Sequence, residues 1–209
     1  MIFVLEHWLI KSQLVKLGNI HAYFNFYASS AMKNICSEQL LRGRPFGGVG
    51  VLVRKNISAK VNVAGFHPDS RVIAITVVHN SLRILCFGVY LPRDDGSCSY
   101  KDRLSDILGF IDSTAELYSG YKCIILGDFN IGCYKSTRGY CAFTPLMNDL
   151  DLRVCDHMDC NNVGYTYSHN TLNQRSLIDH VFVNNDLISS VSDYRAVLDA
   201  TNLSDHLPI

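Results

Sequence analysis

Five short stretches of this chain set carboxylates, amides or hydroxyls at the ends of apolar runs. The sharpest is KCIILGDFNIG, residues 122 to 132, where a strand-like run stops at Gly-Asp-Phe-Asn-Ile-Gly. Asp128 and Asn130 are two apart, so in extended backbone they project to one side and Phe129 to the other. The carboxyl end of a buried strand is where ligand sites of open α/β sheets gather. The competing reading is ordinary turn chemistry, because Gly-Asp and Asn-x-Gly both favour turns. EHWL (6–9) places Glu6 after another apolar run; alone, it reads as a helix-start acid favoured by the macrodipole. LCFGVYLPRDDG (85–96) ends a strand on Tyr90, with its hydroxyl at the rim. In SLIDHVFVN (176–184), alternation puts Asp179, Val181 and Val183 on one face. An acid among apolar neighbours needs a partner, and histidine is a natural one. LSDHLPI, the final seven residues, supplies Ser204, Asp205 and His206.

Each stretch is weak alone, and the set is specific. Four strand-edge carboxylates (Glu6, Asp128, Asp179, Asp205), one amide, one tyrosine and one histidine suit a hard, oxygen-ligated cation such as Mg²⁺ or Mn²⁺. They also suit a histidine held by an aspartate, acting on a phosphate ester. A serine hydrolase fits worse, because no G-x-S-x-G elbow occurs. Zinc hydrolysis fits worse too, because H-E-x-x-H is absent.

These residues must be positioned by a sizeable core. The chain has 209 residues, 48% hydrophobic and 18% charged, which describes a globular domain rather than a disordered one. Lysine plus arginine equals aspartate plus glutamate at 19 each. That balance argues against a general nucleic-acid coat, though not against an enzyme that neutralises phosphate locally. The eight cysteines form no C-x-x-C pair and no zinc-finger spacing, and they read as reduced thiols of a nuclear or cytoplasmic, non-secreted protein. Cys86 and Cys123 sit inside apolar runs as small hydrophobes. Glu6 interrupts the apolar opening, which lacks a basic flank and a cleavage site, and no run is long enough to span a membrane.

Strands are predicted at 2–5, 49–53, 71–78, 82–91, 122–127 and 177–183, with a hairpin turn at Asn80-Ser81. The strand at 49–53 and those after the polar break read as successive antiparallel neighbours. A helix is predicted over 99–117, because Leu104, Ile107, Leu108 and Ile111 follow one buried face. Ser99 or Asp102 is its expected cap. A shorter helix is expected within HWLIKSQLVKLG, ending at Gly18, and a third over 144–154 with Thr144 as N-cap and Pro145 at the first helical position. Strands and helices intermix, so the expectation is one α+β domain of layered sheet and helix.

The succession EHWL, GVYLP, GDFN, LIDHVFVN, SDHLPI resembles the endonuclease/exonuclease/phosphatase superfamily, the DNase-I-like fold, from Glu6 to Ile209. GDFN and SDH in this order are its specific motifs. EHWL, GGVGVLVRKN and VYLPRDD are most similar to the apurinic-type endonuclease domains of LINE-type (non-LTR) retrotransposons. The resemblance implies a four-layer sandwich, with two packed mixed or antiparallel sheets flanked by helices. It implies that Glu6 and Asp205 hold Mg²⁺, and that Asp128 and His206, the latter oriented by Asp179, work around the attacking water. Which of the two takes the water's proton stays open. Asn130 would orient Asp128 or the phosphate, Tyr90 would donate to a phosphate oxygen, and Ser204 precedes the dyad.

The match departs from the family at both ends. No strand bearing an asparagine precedes Ile2, Leu5 replaces a common glutamine, and no closing strand follows Ile209. These departures make the expected domain, residues 1–209, a partial one. His180 replaces an aromatic residue. Basic residues at Arg42, Arg44, Arg54, Lys55, Lys135, Arg138 and Arg175 lie mostly in loops, where phosphate contacts are usual. YTYSHNTLNQRS (165–176) falls where relatives build a groove-entering loop, so Tyr165, Tyr167 and Arg175 are candidate DNA contacts. Abasic-site enzymes carry a tryptophan where Ser176 stands here, which favours a general nicking endonuclease on DNA, monomeric and once fused to a reverse transcriptase. The alternatives are a phosphatase or phospholipase of the same fold, or an inactive relic.

Overall fold

The structure, a computed structural model, describes residues 1–32, 44–132, 136–158, 162–169, 171–199 and 201–209. Arg42, Lys135, Cys36, Cys133 and Cys160 lie outside the described residues. Two sheets form the centre. The larger has six strands in the order β4 (Lys60–Phe66), β5 (Val72–His79), β6 (Leu82–Tyr90), β7 (Lys122–Asp128), β11 (Asp179–Asn184) and β8 (Leu152–Val154). The smaller has the order β1 (Ile2–Leu5), β3 (Val49–Arg54), β2 (Phe24–Ser29). A two-stranded ribbon joins β9 (Tyr167–His169) to β10 (Gln174–Ser176). Within the larger sheet β6 and β7 alone run parallel. The crossover between them is the helix α2 (Cys98–Leu117), as a parallel connection requires.

Alternation explains how the layers meet. Val49, Val51 and Val53 of β3 point at Ile73, Ile75 and Val77 of β5, burying one face of each sheet against the other. At Gly88 a Cβ would stand 2.4 Å from the Phe3 ring, so this glycine lets β1 close onto β6. The opposite face of the large sheet, with Val72, Ala74, Leu85, Phe87 and Val89, packs on Leu104, Ile107 and Ile111 of α2. Phe143 and Leu146 of α3 (Arg138–Asp149) complete that layer. A helical turn, α1 (Val15–Gly18), covers the outer face of the small sheet with its buried Leu17. The architecture is the expected α+β sandwich of mixed sheets flanked by helices.

Several boundaries differ from the sequence reading. Ser97 caps α2 by accepting from Tyr100 N at 3.1 Å, two residues before the nearer expected cap. The helix expected over 144–154 begins at Arg138, where Thr137 accepts from Tyr140 N at 3.2 Å. Pro145 is therefore inside α3, Thr144 donates to Tyr140 O instead of capping, and Leu152–Val154 is strand β8. The expected amino-terminal helix is reduced to α1 and a 3-10 turn at Lys11–Gln13. β3 and β5 are not neighbours, because β4 lies in the polar break and pairs with β5 while β3 joins the other sheet. Lys60 and Asn62 on the exposed face of β4 disguise it. The Asn80-Ser81 hairpin forms as expected, with Asn80 at φ 53°. Among the described residues no helix is long and apolar enough to cross a membrane. Burial pushes the Cys86 and Cys123 thiols up to about 12 and about 11, as befits small core hydrophobes.

Candidate active site

Sheet register assembles the first three residues. Tyr90, the last residue of β6, pairs with Asp128 at the end of β7, and Asp128 pairs with Asp179 at the start of β11. Three side chains thus stand in one row across adjacent strands, at the edge of the sheet facing β1. Asp128 and Asp179 are both buried.

The GDFN turn is shaped by what it cannot hold. Gly127 sits at φ 139°, and a Cβ there would meet Val89 O at 2.1 Å and the Leu5 side chain at 2.8 Å. Only glycine fits, and the end of β1 comes down directly over it. Asn130 is held at φ 51° by Asp128, whose Oδ1 accepts from its backbone N at 2.9 Å. The Asn130 amide donates to Asp128 Oδ2 at 3.2 Å and to Leu91 O at 2.9 Å. Asp128 and Asn130 do share a side, through an Asx turn rather than the extended backbone that the sequence suggested. Phe129 points the other way into the core, 4.9 Å from Phe182.

Glu6 follows β1 at φ 50°. Its placement is fixed by His7, which stacks so closely over Gly48 that a Cβ there would lie 2.3 Å away. His7 Nδ1 accepts from Leu9 N at 3.0 Å, so Nε2 carries the proton given to Ser29 O at 3.1 Å. Trp8 N donates to Gly47 O at 3.0 Å. The pinned turn brings the Glu6 carboxylate against the Tyr90 hydroxyl, which burial first and Glu6 second push well above the usual tyrosine range.

His206 arrives from the last loop. Its Nδ1 donates to Asp179 Oδ2 at 2.9 Å, leaving Nε2 4.0 Å from Asp128 Oδ2. Burial opposes its charge, but the hydrogen bond and charge of Asp179, with Asp128 and Asp205 nearby, outweigh that and lift it to about 9. Asp128 is pushed up to about 7 by burial and then by Asp179, against the pull of His206. Ser204 Oγ accepts from His206 N at 3.1 Å, a turn contact at an exposed position. The Tyr167 ring packs 5.0 Å from the imidazole. Arg175 lies on β10, exposed, with its guanidinium 4.4 Å from the centre of the Tyr165 ring.

Ligand atoms of Asp128, Asp179 and His206 all lie within 4.8 Å of one another. The expected metal ligands Glu6 and Asp205 are not in that group; Glu6 stands beside Tyr90 and Asp205 beside His206, at its edges. The oxygen-rich donor set fits a divalent cation: two buried carboxylates and an imidazole present ligand atoms within 4.8 Å of one another. A second group, His67, Asp69 and Asp106, is different in kind. There His67 Nδ1 accepts from Asp69 N and Nε2 faces Asp106, so the ring already clamps its own loop.

Two features escaped the sequence reading. Arg71 lays its guanidinium 4.9 Å from the centre of the Tyr90 ring and donates to Tyr90 O, which steadies that rim. Only its place ahead of β5, opposite Tyr90 in the β5–β6 pair, could have signalled it. His180, next to Asp179 but on the other face, is fully buried between Asp156 Oδ2 (2.6 Å) and Ile131 O (2.7 Å). Tyr194 donates to Asp156 Oδ1 at 2.9 Å. This network braces β11 from behind.

The fold coincides with that of a known class. The chain belongs to the Endonuclease/Exonuclease/phosphatase family, whose model matches residues 1–206. Proteins of this family are generally divalent-metal-dependent phosphodiesterases and nucleases. Among solved structures, the chain is similar to the 3′ phosphatase NExo from Neisseria bound to a product DNA hairpin. That match has 20% identity and a TM-score of 0.69 over 99% of this chain and 85% of that one. It is also similar to the endonuclease domain of TRAS1, a telomere-specific non-LTR retrotransposon, at 13% identity and a TM-score of 0.61 over 87% and 77%. Truncated TDP2 of Caenorhabditis elegans matches at 14% identity and a TM-score of 0.52 over 87% and 69%. At such identities these likenesses establish the fold. No curated protein matches the chain.

Proposed function

We propose that this chain is a Mg²⁺- or Mn²⁺-dependent phosphodiester hydrolase that nicks DNA, of the kind found in non-LTR retrotransposons. The observation that carries the reading is the row Tyr90–Asp128–Asp179, closed by His206 through its bond to Asp179. A bound divalent ion supplies charge neutralisation at the phosphate and a more acidic water. Glu6 and Asp205, at the edges of the Asp128–Asp179–His206 group, are the residues proposed to hold it. Asp179 holds the Nδ1–H side of the His206 ring, so Nε2 faces the 4.0 Å gap to Asp128. A water between them has both groups within reach, and its proton is received within this pair. Asn130 keeps both Asp128 oxygens oriented, and the Tyr90 hydroxyl, hydrogen-bonded to Glu6, is the proposed donor to a phosphate oxygen once substrate is bound.

DNA as substrate is supported by the neighbour solved with a product DNA hairpin and by the TRAS1 endonuclease domain. The exposed Arg175 and the Tyr167 ring beside His206 are the proposed contacts to it, with Ser204 at the loop's outer turn. The test is supercoiled plasmid set beside a linear duplex with a 3′-phosphate end. Conversion of plasmid to the nicked form supports the proposal. Release of phosphate or nucleotides from the end, with the plasmid intact, would favour the 3′-end chemistry of the Neisseria neighbour instead.

A further inference from the structure

We infer that Thr166 is the residue that positions the His206–Asp179 pair, an inference resting on the hydrolase reading above. Thr166 is completely buried, and each of its polar atoms reaches a different part of the site's frame. Its Oγ1 accepts from Ile178 N at 3.1 Å and from Asp179 N at 3.0 Å. Its carbonyl accepts from Leu207 N at 2.7 Å, and its own N donates to Ser176 O at 2.9 Å. One residue therefore grips the amide of Asp179 on one side and the amide that follows His206 on the other.

The adjoining backbone extends the same grip. Tyr167 and His206 form an antiparallel bridge, and Ser168 N donates to Asp205 O at 2.9 Å. The His206 loop is thereby tied to β9 by an isolated bridge and its flanking backbone bonds, with Thr166 at the point where β9, β11 and the loop converge. A buried hydroxyl that receives two amides cannot be exchanged for a methyl without orphaning both. The hydroxyl holds the Asp179 amide while the carbonyl of the same residue holds Leu207 N, so the acceptor oxygens on Thr166 tie the Asp179 backbone to that of the His206 loop. Thr166 touches no reacting atom; it acts through the pair.

Thr166→Val keeps the shape and removes the acceptor, whereas Thr166→Ser keeps the acceptor. The direct readout is the low-field proton resonance of the His206 Nδ1–H···Asp179 bond, observed in the full chain with folding verified by near-UV circular dichroism. The expected result is that Thr166→Val shifts that resonance upfield or broadens it away, while Thr166→Ser retains it. On DNA, Thr166→Val is expected to lower kcat by about 10²-fold, the cost of a misplacement near 1 Å, with KM unchanged and activity recovered in Thr166→Ser. If Thr166→Val does not fold, Thr166→Cys, with a weaker acceptor of similar size, must show an intermediate shift. An unaltered resonance in either folded variant overturns the inference. A resonance that moves in a protein with no nuclease activity upholds the positioning role and rejects the hydrolase reading alone.

Discussion

His206 and Asp179 are 27 residues apart in sequence and joined at 2.9 Å in the fold, with the imidazole's other nitrogen left facing Asp128. The bond does two things at once. It keeps a proton on Nδ1 and orients the ring, and it places a group that can exchange protons opposite a buried carboxylate. Removing either partner removes the same geometry. His206→Ala is expected to lower the cleavage rate by roughly two to four orders of magnitude. Asp179→Asn should lose much of that effect, and the double substitution little more, since the residues act as a unit. Multiplicative losses in a rate-based double-mutant cycle would show that they act independently.

The backing network behind β11 gives a stability prediction. His180 and Asp156 are both fully buried, and His180 Nε2 must donate because Ile131 O can only accept. Replacing His180 with leucine removes the 2.6 Å bond from the buried Asp156 carboxylate and the bond to Ile131 O together. A loss of about 3–5 kcal/mol is expected, read from the denaturant midpoint at unchanged slope. A shift smaller than about 1 kcal/mol would mean that the pair is not the brace proposed for this strand.

Gly127 predicts a defect local to the site. Alanine there places a Cβ against Val89 O at 2.1 Å, in a backbone region L-residues rarely adopt. Gly127→Ala is expected to cost on the order of 2–4 kcal/mol. Thermal unfolding checks it: an unchanged midpoint would show that β7 ends differently.

Acid should loosen the turn that carries Glu6. Burial lowers the His7 pKa below 6.5, and its Nδ1 is occupied as an acceptor. A depressed histidine pKa means that the unfolded chain binds the extra proton first. The His7 contribution is therefore fully present above about pH 6.5 and is lost as pH falls from there through the lower folded value. His7→Gln should flatten that part of the stability–pH curve. An identical curve in the variant would remove His7 from this role.

Much of the frame was readable because its signals are local. The α2 stripe, the Asn80-Ser81 hairpin and the apolar runs of β1, β3, β5, β6, β7 and β11 follow from periodicity and turn chemistry. GDFN and SDH could be read as chemistry because few other needs put acid, amide and histidine at strand ends. What stayed hidden depends on partners far away in sequence. β4 alternates Lys60 and Asn62 with residues of the inner face, so only its pairing with β5 reveals it. The start of α3 was missed because Thr137 caps it and Pro145 looked like a first-turn proline. Thr166 and Arg71 carried no motif, since their roles exist only through Asp179, Leu207 and Tyr90.

The central claim is that these strand-end residues form one metal-dependent centre for breaking phosphodiester bonds. The most direct measurement is the rate of supercoiled plasmid nicking by the purified chain with Mg²⁺ or Mn²⁺, after chelation, and with Glu6→Gln and Asp205→Asn. Nicking that requires the added ion, disappears in chelator, and in both variants needs a higher ion concentration is the predicted result. Undiminished nicking in chelator, or variants with the wild-type ion requirement, would contradict the account.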